Sequence, residues 1–252
     1  AEPLYLRSLA IREKSLGPEH PEVATNLNNL ALLYNNQARY LEAETLYLRG
    51  LKIMEKAYGQ NNPDVAVIYN NLAENLYRVG RIKESESFHK KALMIREKVL
   101  GEYHHDVASS LNNIARIYDL QNRNSESEIL YRKALKIIKK TFGPEHLDIA
   151  MILTNLAVIH SKQKKYVEAE QFFKRSLVIN EKVFGPNHPN VALGLNNLGV
   201  FFLNQSRYAE AEPFFQRSLA IDEKALGLEH PDVASSLNIF FLLIPIIQSS
   251  SS

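Results

Sequence analysis

Apolar side chains recur along this chain in two alternating phrases. In the first, within residues 21–34, Val23, Leu27, Leu30, Ala31 and Tyr34 fall at helical spacing, so one face of a helix collects them. In the second, Ala43, Leu46, Tyr47, Gly50, Leu51, Ile53 and Met54 form a broader apolar face, as a helix touched by more than one neighbour requires. The polar break NNQAR separates the two. Pro21 suits the first turn of the leading helix, where its missing N–H has no partner to lose. Gly59 ends the second helix, because glycine there can take the left-handed conformation that closes off the last carbonyls. The pattern predicts a helical hairpin, helix A then helix B, with an Asn-Asn-Pro or Gly-Pro-Glu-His-Pro segment turning into the next copy.

The hairpin repeats. Gly17, Gly59, Gly101, Gly143, Gly185 and Gly227 lie 42 residues apart throughout, and a fixed period of that size predicts stacked hairpins with an extended surface rather than one deep pocket. Residues 1–252 read as a single array: a half repeat at 1–17 holding helix B alone, full repeats at 18–59, 60–101, 102–143, 144–185 and 186–227, and a partial repeat from 228 to 252. The column Ala24, Ala66, Ala108, Ala150, Ala192, Ala234 is invariant, as expected where two helices approach closely. The columns beginning at Leu9 and Ile11 are fixed as well and are assigned to the core, at about 1.5–3 kcal/mol per buried side chain. A basic column (Arg7, Arg49, Lys91, Lys133, Arg175, Arg217) lies five residues after an acidic one (Glu2, Glu44, Glu86, Glu128, Glu170, Glu212). Five is not an ion-pair spacing within a helix, so cross-repeat pairing or solvation accounts for them, and solvation is favoured.

Composition narrows the function classes. Lys plus Arg number 30 against 28 Asp plus Glu, a balance with no field to draw nucleic acid or an anionic membrane. The absence of cysteine excludes disulfides, thiolate metal sites and a Cys nucleophile, and fits a reducing compartment. The opening AEPLYLRSLAIREKSLG has no signal-peptide pattern, so a cytoplasmic address is the default expectation. His20, His104, His146, His188 and His230 recur in the loop before helix A. Zinc ligands must converge within about 2.3 Å of one point, which equivalent residues of different repeats cannot do, so a loop or capping role is expected, with the pair His104 and His105 a faint exception. No phosphate-cradling loop, nucleophile elbow or H-E-x-x-H pattern occurs, and no catalytic, cofactor-binding or metal-binding residue is assigned.

The runs L-N-N-L-A-x-x-Y at 27–34 and A-E-x-x-Y at 43–47 resemble the tetratricopeptide repeat. More narrowly, the 42-residue length and the phrase I-R-E-K-x-L-G-P-E-H-P-E-V-A at 11–24 resemble the repeats of kinesin light chains and their bacterial relatives, over the chain as far as Asn238. The resemblance implies an all-α fold, a right-handed superhelix of antiparallel helix pairs whose concave face, lined by A helices, holds an extended peptide of a partner protein. In kinesin light chains that peptide belongs to cargo, often with a tryptophan among acidic residues. Two departures stand out: no heptad-rich segment accompanies the repeats, and they are more alike than those of a light chain. The family's carboxylate clamp needs lysines where this chain has Thr25, Val67, Ser109, Met151 and Leu193, so that mode is disfavoured.

The candidate peptide contacts are the column Asn29, Asn71, Asn113, Asn155 and Asn197, preceded by Asn28, Asn70, Asn112, Thr154 and Asn196. An asparagine amide donates and accepts, so it can bond to any peptide backbone. With A helices about 10 Å apart, each step matches roughly three residues of extended chain. Alternatively the amides bond to neighbouring helices and hold the stack; for the column of Asn28 that is at least equally favoured, and for the column of Asn29 the family likeness tips toward ligand. Selectivity is expected from the variable positions Leu32, Glu74, Arg116, Val158, Val200 and then Asn35, Tyr77, Asp119, Ser161, Leu203. Arg78, Arg116 and Lys162 are placed to receive acidic side chains, while Glu74 and Asp119 argue against a purely acidic ligand.

Both ends read as cut. Ala1-Glu2-Pro3 matches Ala211-Glu212-Pro213, so the chain begins inside a helix B, and LNIFFLLIPIIQSSSS replaces the expected helix A pattern. Residues 239–247 fall short of the roughly 20 needed to span a bilayer. Truncated or shifted coding sequence is the favoured explanation, a membrane-touching or self-associating tail the alternative, and the apolar edge invites end-to-end association. The reading is a scaffold that captures an extended peptide of a partner protein; the alternative is the recognition region of a larger signalling ATPase with its nucleotide site outside this chain.

Overall fold

The computed structural model describes residues 1–230 together with Val233, Ala234 and Leu237; the apolar stretch 239–247 lies outside the described residues. Among the described residues there are eleven α-helices and no strand. Helix α1 (Glu2–Leu16) precedes five hairpins: α2 (Pro21–Asn36) with α3 (Tyr40–Tyr58), α4 (Pro63–Arg78) with α5 (Ile82–Leu100), α6 (His105–Leu120) with α7 (Asn124–Phe142), α8 (Leu147–Lys162) with α9 (Tyr166–Phe184), and α10 (Pro189–Leu203) with α11 (Tyr208–Leu226). The chain divides into two compact units, Ala1–Ile137 and Ile138–Ser252.

Each hairpin starts at a cap. The Nδ1 atoms of His20, His104, His146 and His188 accept the backbone N–H two residues on, at 3.1–3.2 Å, and Asn62 does the same with its carbonyl oxygen at 2.7 Å. The recurring loop histidines are therefore N-caps, each satisfying one N–H left over at a helix start. Between helix A and helix B the chain passes through the left-handed region at Ala38, Gly80, Asn122, Lys164 and Ser206, with φ between 58° and 80°. Only one of these is glycine, so no residue type marks the turn in the sequence.

Tight contact between helices follows from two columns of small residues. Ala24, Ala66, Ala108, Ala150 and Ala192 are at most 2% exposed. An added Cβ on Gly50 would stand 3.3 Å from the Ala24 carbonyl oxygen. In the second unit the hydroxyls of Ser176 and Ser218 donate to the Ala150 and Ala192 carbonyls at 2.8 and 2.9 Å. Around these approaches Leu27, Leu30, Tyr47, Leu72 and Leu76 fill the first unit and Leu195, Leu198, Phe201 and Phe215 the second. Ile11, expected in the core, is 57% exposed, because no described helix covers that side of α1; Leu9 is partly buried, as are Leu93, Leu135 and Leu219 of its column.

The sequence favoured solvation for the charged columns, but their described members are paired, some across repeats and some within a helix, where Lys90, Arg132 and Lys174 meet Glu86, Glu128 and Glu170. Arg39 bonds Glu42 of its own helix at 2.7 Å and Glu2 of the preceding helix B at 2.9 Å, Arg81 treats Glu84 and Glu44 alike at 2.7 Å, and Arg207 repeats the arrangement with Glu210 and Glu170 at 2.6 and 3.3 Å. Hydrogen bonds from Arg39 hold the Glu2 carboxyl below the usual carboxylate range. Members of the basic column reach loop carbonyls, with Arg49, Arg175 and Arg217 donating to those of Pro18, Pro144 and Pro186 at 3.3–3.5 Å. The two columns thus serve separate partners. Solvent screens such exposed pairs, so the latch orients neighbours more than it stabilises them.

One column hides a substitution with a pH signature. His89 stands where Tyr47, Tyr131, Phe173 and Phe215 fill the core, is 1% exposed, and its Nδ1 has no partner. Burial, aided by Arg116 and Arg96, pushes its pKa down to about 3. Between that value and the ordinary one near 6.5 the unfolded chain binds a proton that the folded chain refuses, so stability present above pH 6.5 is lost as pH falls. At pH 5 that loss is about 2 kcal/mol. Urea titrations at pH 7 and pH 5 are expected to show it in the wild type and not in His89→Phe; equal losses in both proteins would refute it. Ala38→Gly is expected to raise stability by about 1 kcal/mol in the same assay, since only glycine occupies φ of 60° without strain; a lowered midpoint would count against that turn.

Candidate functional site

In the first unit the asparagine columns are tied to one another. Asn71 donates its Nδ2 to Asn28 Oδ1 at 3.0 Å and Asn113 donates to Asn70 Oδ1 at 3.1 Å, while Asn28 approaches Asn29 Oδ1 at only 3.5 Å. Asn71 and Asn113 therefore each stitch their A helix to the previous one. Here the family likeness, which favoured ligand contact at this column, gives way to the stacking alternative for one N–H of Asn71 and of Asn113; their second N–H and the carbonyl oxygen keep their bonding capacity.

The charged positions of the first unit also close on themselves. Arg116 of α6 donates to Glu74 of α4 at 2.8 Å, Arg78 lies 3.4 Å from the other carboxylate oxygen, and the Arg116 guanidinium sits 4.4 Å over the Tyr77 ring. Arg116 was placed to receive an acidic ligand side chain; its carboxylate partner is already inside the chain. Its Nε is buried without a partner. Asp119, half-buried on α6, raises the pKa of the Tyr131 hydroxyl, after burial itself. These groups form a packed polar cluster rather than an open cationic patch.

The second unit differs at the same columns. Thr154 occupies the place of Asn28, and its hydroxyl bonds to the Ala150 carbonyl at 3.1 Å and the Ser176 hydroxyl at 2.8 Å. With no amide there to accept, Asn197 has no stitching partner and lines two cavities instead, of about 350 and 430 Å³. Asn155 also borders the smaller one, beside Met151, Asn180 and Gly194. The larger has Val158 and Val200 where the first unit has Glu74 and Arg116, with Lys162 on its lining and Asn204 and Gln205 as further amides. Leu32 is 44% exposed at the first member of that column.

The sequence columns therefore located Asn155, Asn197, Lys162, Val158 and Val200 around open space, and missed Asn180, Gly194 and Asn204. The signal for Gly194 was available, since it departs from the column Asn26, Ile68, Ser110, Ile152. Near the start of α6, His104, His105 and Asp106 bring ligand atoms within 4.8 Å of one another; His104 Nδ1 already caps the helix. Among the described residues no helix is long and apolar enough to cross a membrane.

A family model described as tetratricopeptide repeat matches residues 1–56, 64–140, 125–182, 148–224 and 190–239. Among solved structures, BtubC (BKLC) from P. vanneervenii is 24% identical with a TM-score of 0.76, over 91% of this chain and 92% of that one. A Podosopora anserina protein described as a kinesin light chain with nearly identical TPR-like repeats is 21% identical with a TM-score of 0.69, over 82% and 98% of the two chains. At such identities the likeness is one of fold. No curated protein matches the sequence.

If Arg116 belongs to Glu74, a double-mutant cycle of Glu74→Gln and Arg116→Gln is expected to return a coupling of about 0.5–1 kcal/mol in thermal or urea unfolding. A coupling near zero would instead leave Arg116 open to an external carboxylate.

Proposed function

The chain belongs to the tetratricopeptide-repeat family, and from that premise we propose that it is a protein-interaction scaffold that holds an extended peptide of a partner along its A helices, with the principal contacts in the second unit. The observation that carries the reading is the release of Asn197 from the amide stitch by Thr154, at the border of both cavities. A side-chain amide with its donors and acceptor uncommitted suits a peptide backbone, which offers a C=O and an N–H at every residue whatever its side chains. The first unit has exchanged that capacity for cohesion. Its amides bond across repeats and its charges are neutralised in place. Peptide contact there falls to Asn29 and to the remaining capacity of Asn71 and Asn113, with Tyr77, Arg78 and Asp119 as flanking groups.

Apolar positions at Val158 and Val200 favour a ligand segment with aliphatic or aromatic side chains opposite them, and Lys162 favours an acidic residue nearby. Kinship in fold with kinesin-light-chain structures supports peptide capture in general; a motor-adaptor role would add a partner this chain's residues do not specify. The reading assigns no chemistry to the chain itself.

The test is a peptide-array screen followed by affinity measurements on Asn197→Ala and Asn71→Ala. Asn197→Ala is expected to weaken peptide binding by about tenfold, the equivalent of about 1.4 kcal/mol, with unfolding unchanged. Asn71→Ala is expected to lower stability, because Asn28 loses its donor, with a smaller effect on affinity. The reverse pattern would overturn the assignment, as would a wild type that binds no peptide.

A further inference from the structure

The chain carries its own template for what the smaller cavity of the second unit accepts. On α1, Arg12 projects against the first turn of α2 and donates through Nη1 to the Glu22 carbonyl at 3.1 Å and to Asn26 Oδ1 at 3.3 Å. Two repeats later Arg96 of α5 makes the same pair of contacts with α6, donating through Nη1 to the Asp106 carbonyl at 3.2 Å and to the Ser110 hydroxyl at 2.8 Å. Both acceptor side chains are buried, and Arg96 itself is 7% exposed. The slot between a helix B and the start of the following helix A is thus built to hold a guanidinium.

Where helix B lacks the arginine, the slot is handled differently. Met54 faces Ile68, and both are buried. In the second unit the pair 84 residues beyond Arg96 and Ser110 is Asn180 with Gly194. Here a short amide and a missing side chain stand where the four preceding pairs put an arginine with its acceptor or two apolar side chains, and one repeat later Asp222 takes the helix B position. The space is not refilled: Asn180, Gly194 and Asn190, the counterpart of Asp106, all line the 350 Å³ cavity. An added Cβ on Gly194 would meet only the end of the Leu177 side chain, at 3.3 Å, and Asn180 Nδ2 at 3.9 Å. Asp148 is the one acidic side chain on the cavity lining, which contains no lysine or arginine. Met151 and Leu193 at the lining are 47% and 61% exposed, so the cavity opens on the side of Asn155 and Asn197.

We propose that this cavity is a receptor for an arginine side chain of the bound peptide, which takes the place that Arg12 and Arg96 take in their own repeats. The inference rests on the peptide reading above and names its side-chain preference. The guanidinium donates to the Asn190 carbonyl as Arg96 does to that of Asp106, Asp148 supplies the opposite charge, and the methylene stem lies along Met151 and Leu193. Phe184, whose ring stacks on His188, also borders the cavity. A citrulline has nearly the same shape but carries no charge and has a carbonyl oxygen in place of one terminal NH2, which makes it the discriminating analogue.

The slot can be tested apart from peptide binding. N-acetyl-arginine methylamide is titrated into the ¹⁵N-labelled full chain while the Gly194 amide resonance is followed. A saturable shift at Gly194 is expected with the arginine amide, several-fold weaker with the citrulline analogue and in Asp148→Asn, and absent in Asn180→Arg combined with Gly194→Ser, which copies Arg96 and Ser110 into the slot. That double variant is expected to melt no lower than the wild type; should it fail to fold, the citrulline and Asp148→Asn comparisons decide alone. An unmoved Gly194 resonance, equal affinity for citrulline, or a shift that survives in the folded double variant would overturn the proposal. Peptide binding that depends on Asn197 but is indifferent to arginine would sink the slot alone, whereas a chain that binds arginine amide at Gly194 but no peptide would sink the scaffold reading.

Discussion

Everything in this chain depends on how closely helix A can approach the helix B that follows it. The alanine column and the small residues Gly50, Ala92, Ala134, Ser176 and Ser218 leave no side-chain volume at the contact, so backbone meets backbone and serine hydroxyls reach helix carbonyls directly. A larger residue at either column would push the helices apart and open the apolar layers on both sides, where cavities cost stability in proportion to their size. Because the approach recurs every 42 residues, a side chain at a given column within either unit meets a similar environment until one of its neighbours changes.

That uniformity explains why the exceptions are informative. A uniform column records a shared role, and a break in one column releases its partner in another. Thr154 removes the acceptor that Asn28 and Asn70 provide, and Asn197 loses its in-stack bond. Asn180 and Gly194 remove an arginine and its acceptor together, and a cavity remains. His89 replaces an aromatic ring, and a buried base is left without a partner at Nδ1. Cohesion and recognition draw on the same polar groups, and which task a group performs depends on whether its counterpart 42 or 43 residues away is present.

The helices, their pairing and most of the core were legible in the sequence, because periodicity of 3.6 and the 42-residue register both report directly on burial. The histidine caps were legible as well, since geometry across repeats excluded a shared metal ion. Three readings needed revision. Solvated charge columns became cross-repeat latches, since the partner of Glu2 and Glu44 is the arginine at the start of the next helix B, 37 residues on, and not the basic column five residues away. Arg116 proved to be held by Glu74, one repeat before it, on the ring of Tyr77. Ile11 shares a column with core residues but lacks their burial, because no described helix covers that side of α1, and the column of Leu9 is buried only in part.

Local periodicity and side-chain volume suffice to specify the repeat, the hairpin, the close-packed faces and the membership of each column. Which polar groups spend their hydrogen bonds inside the stack is set by the folded arrangement. That choice depends on distances of about 3 Å between residues about 40 positions apart, a separation at which residue type states what a group can bond to while folded geometry alone states what it reaches.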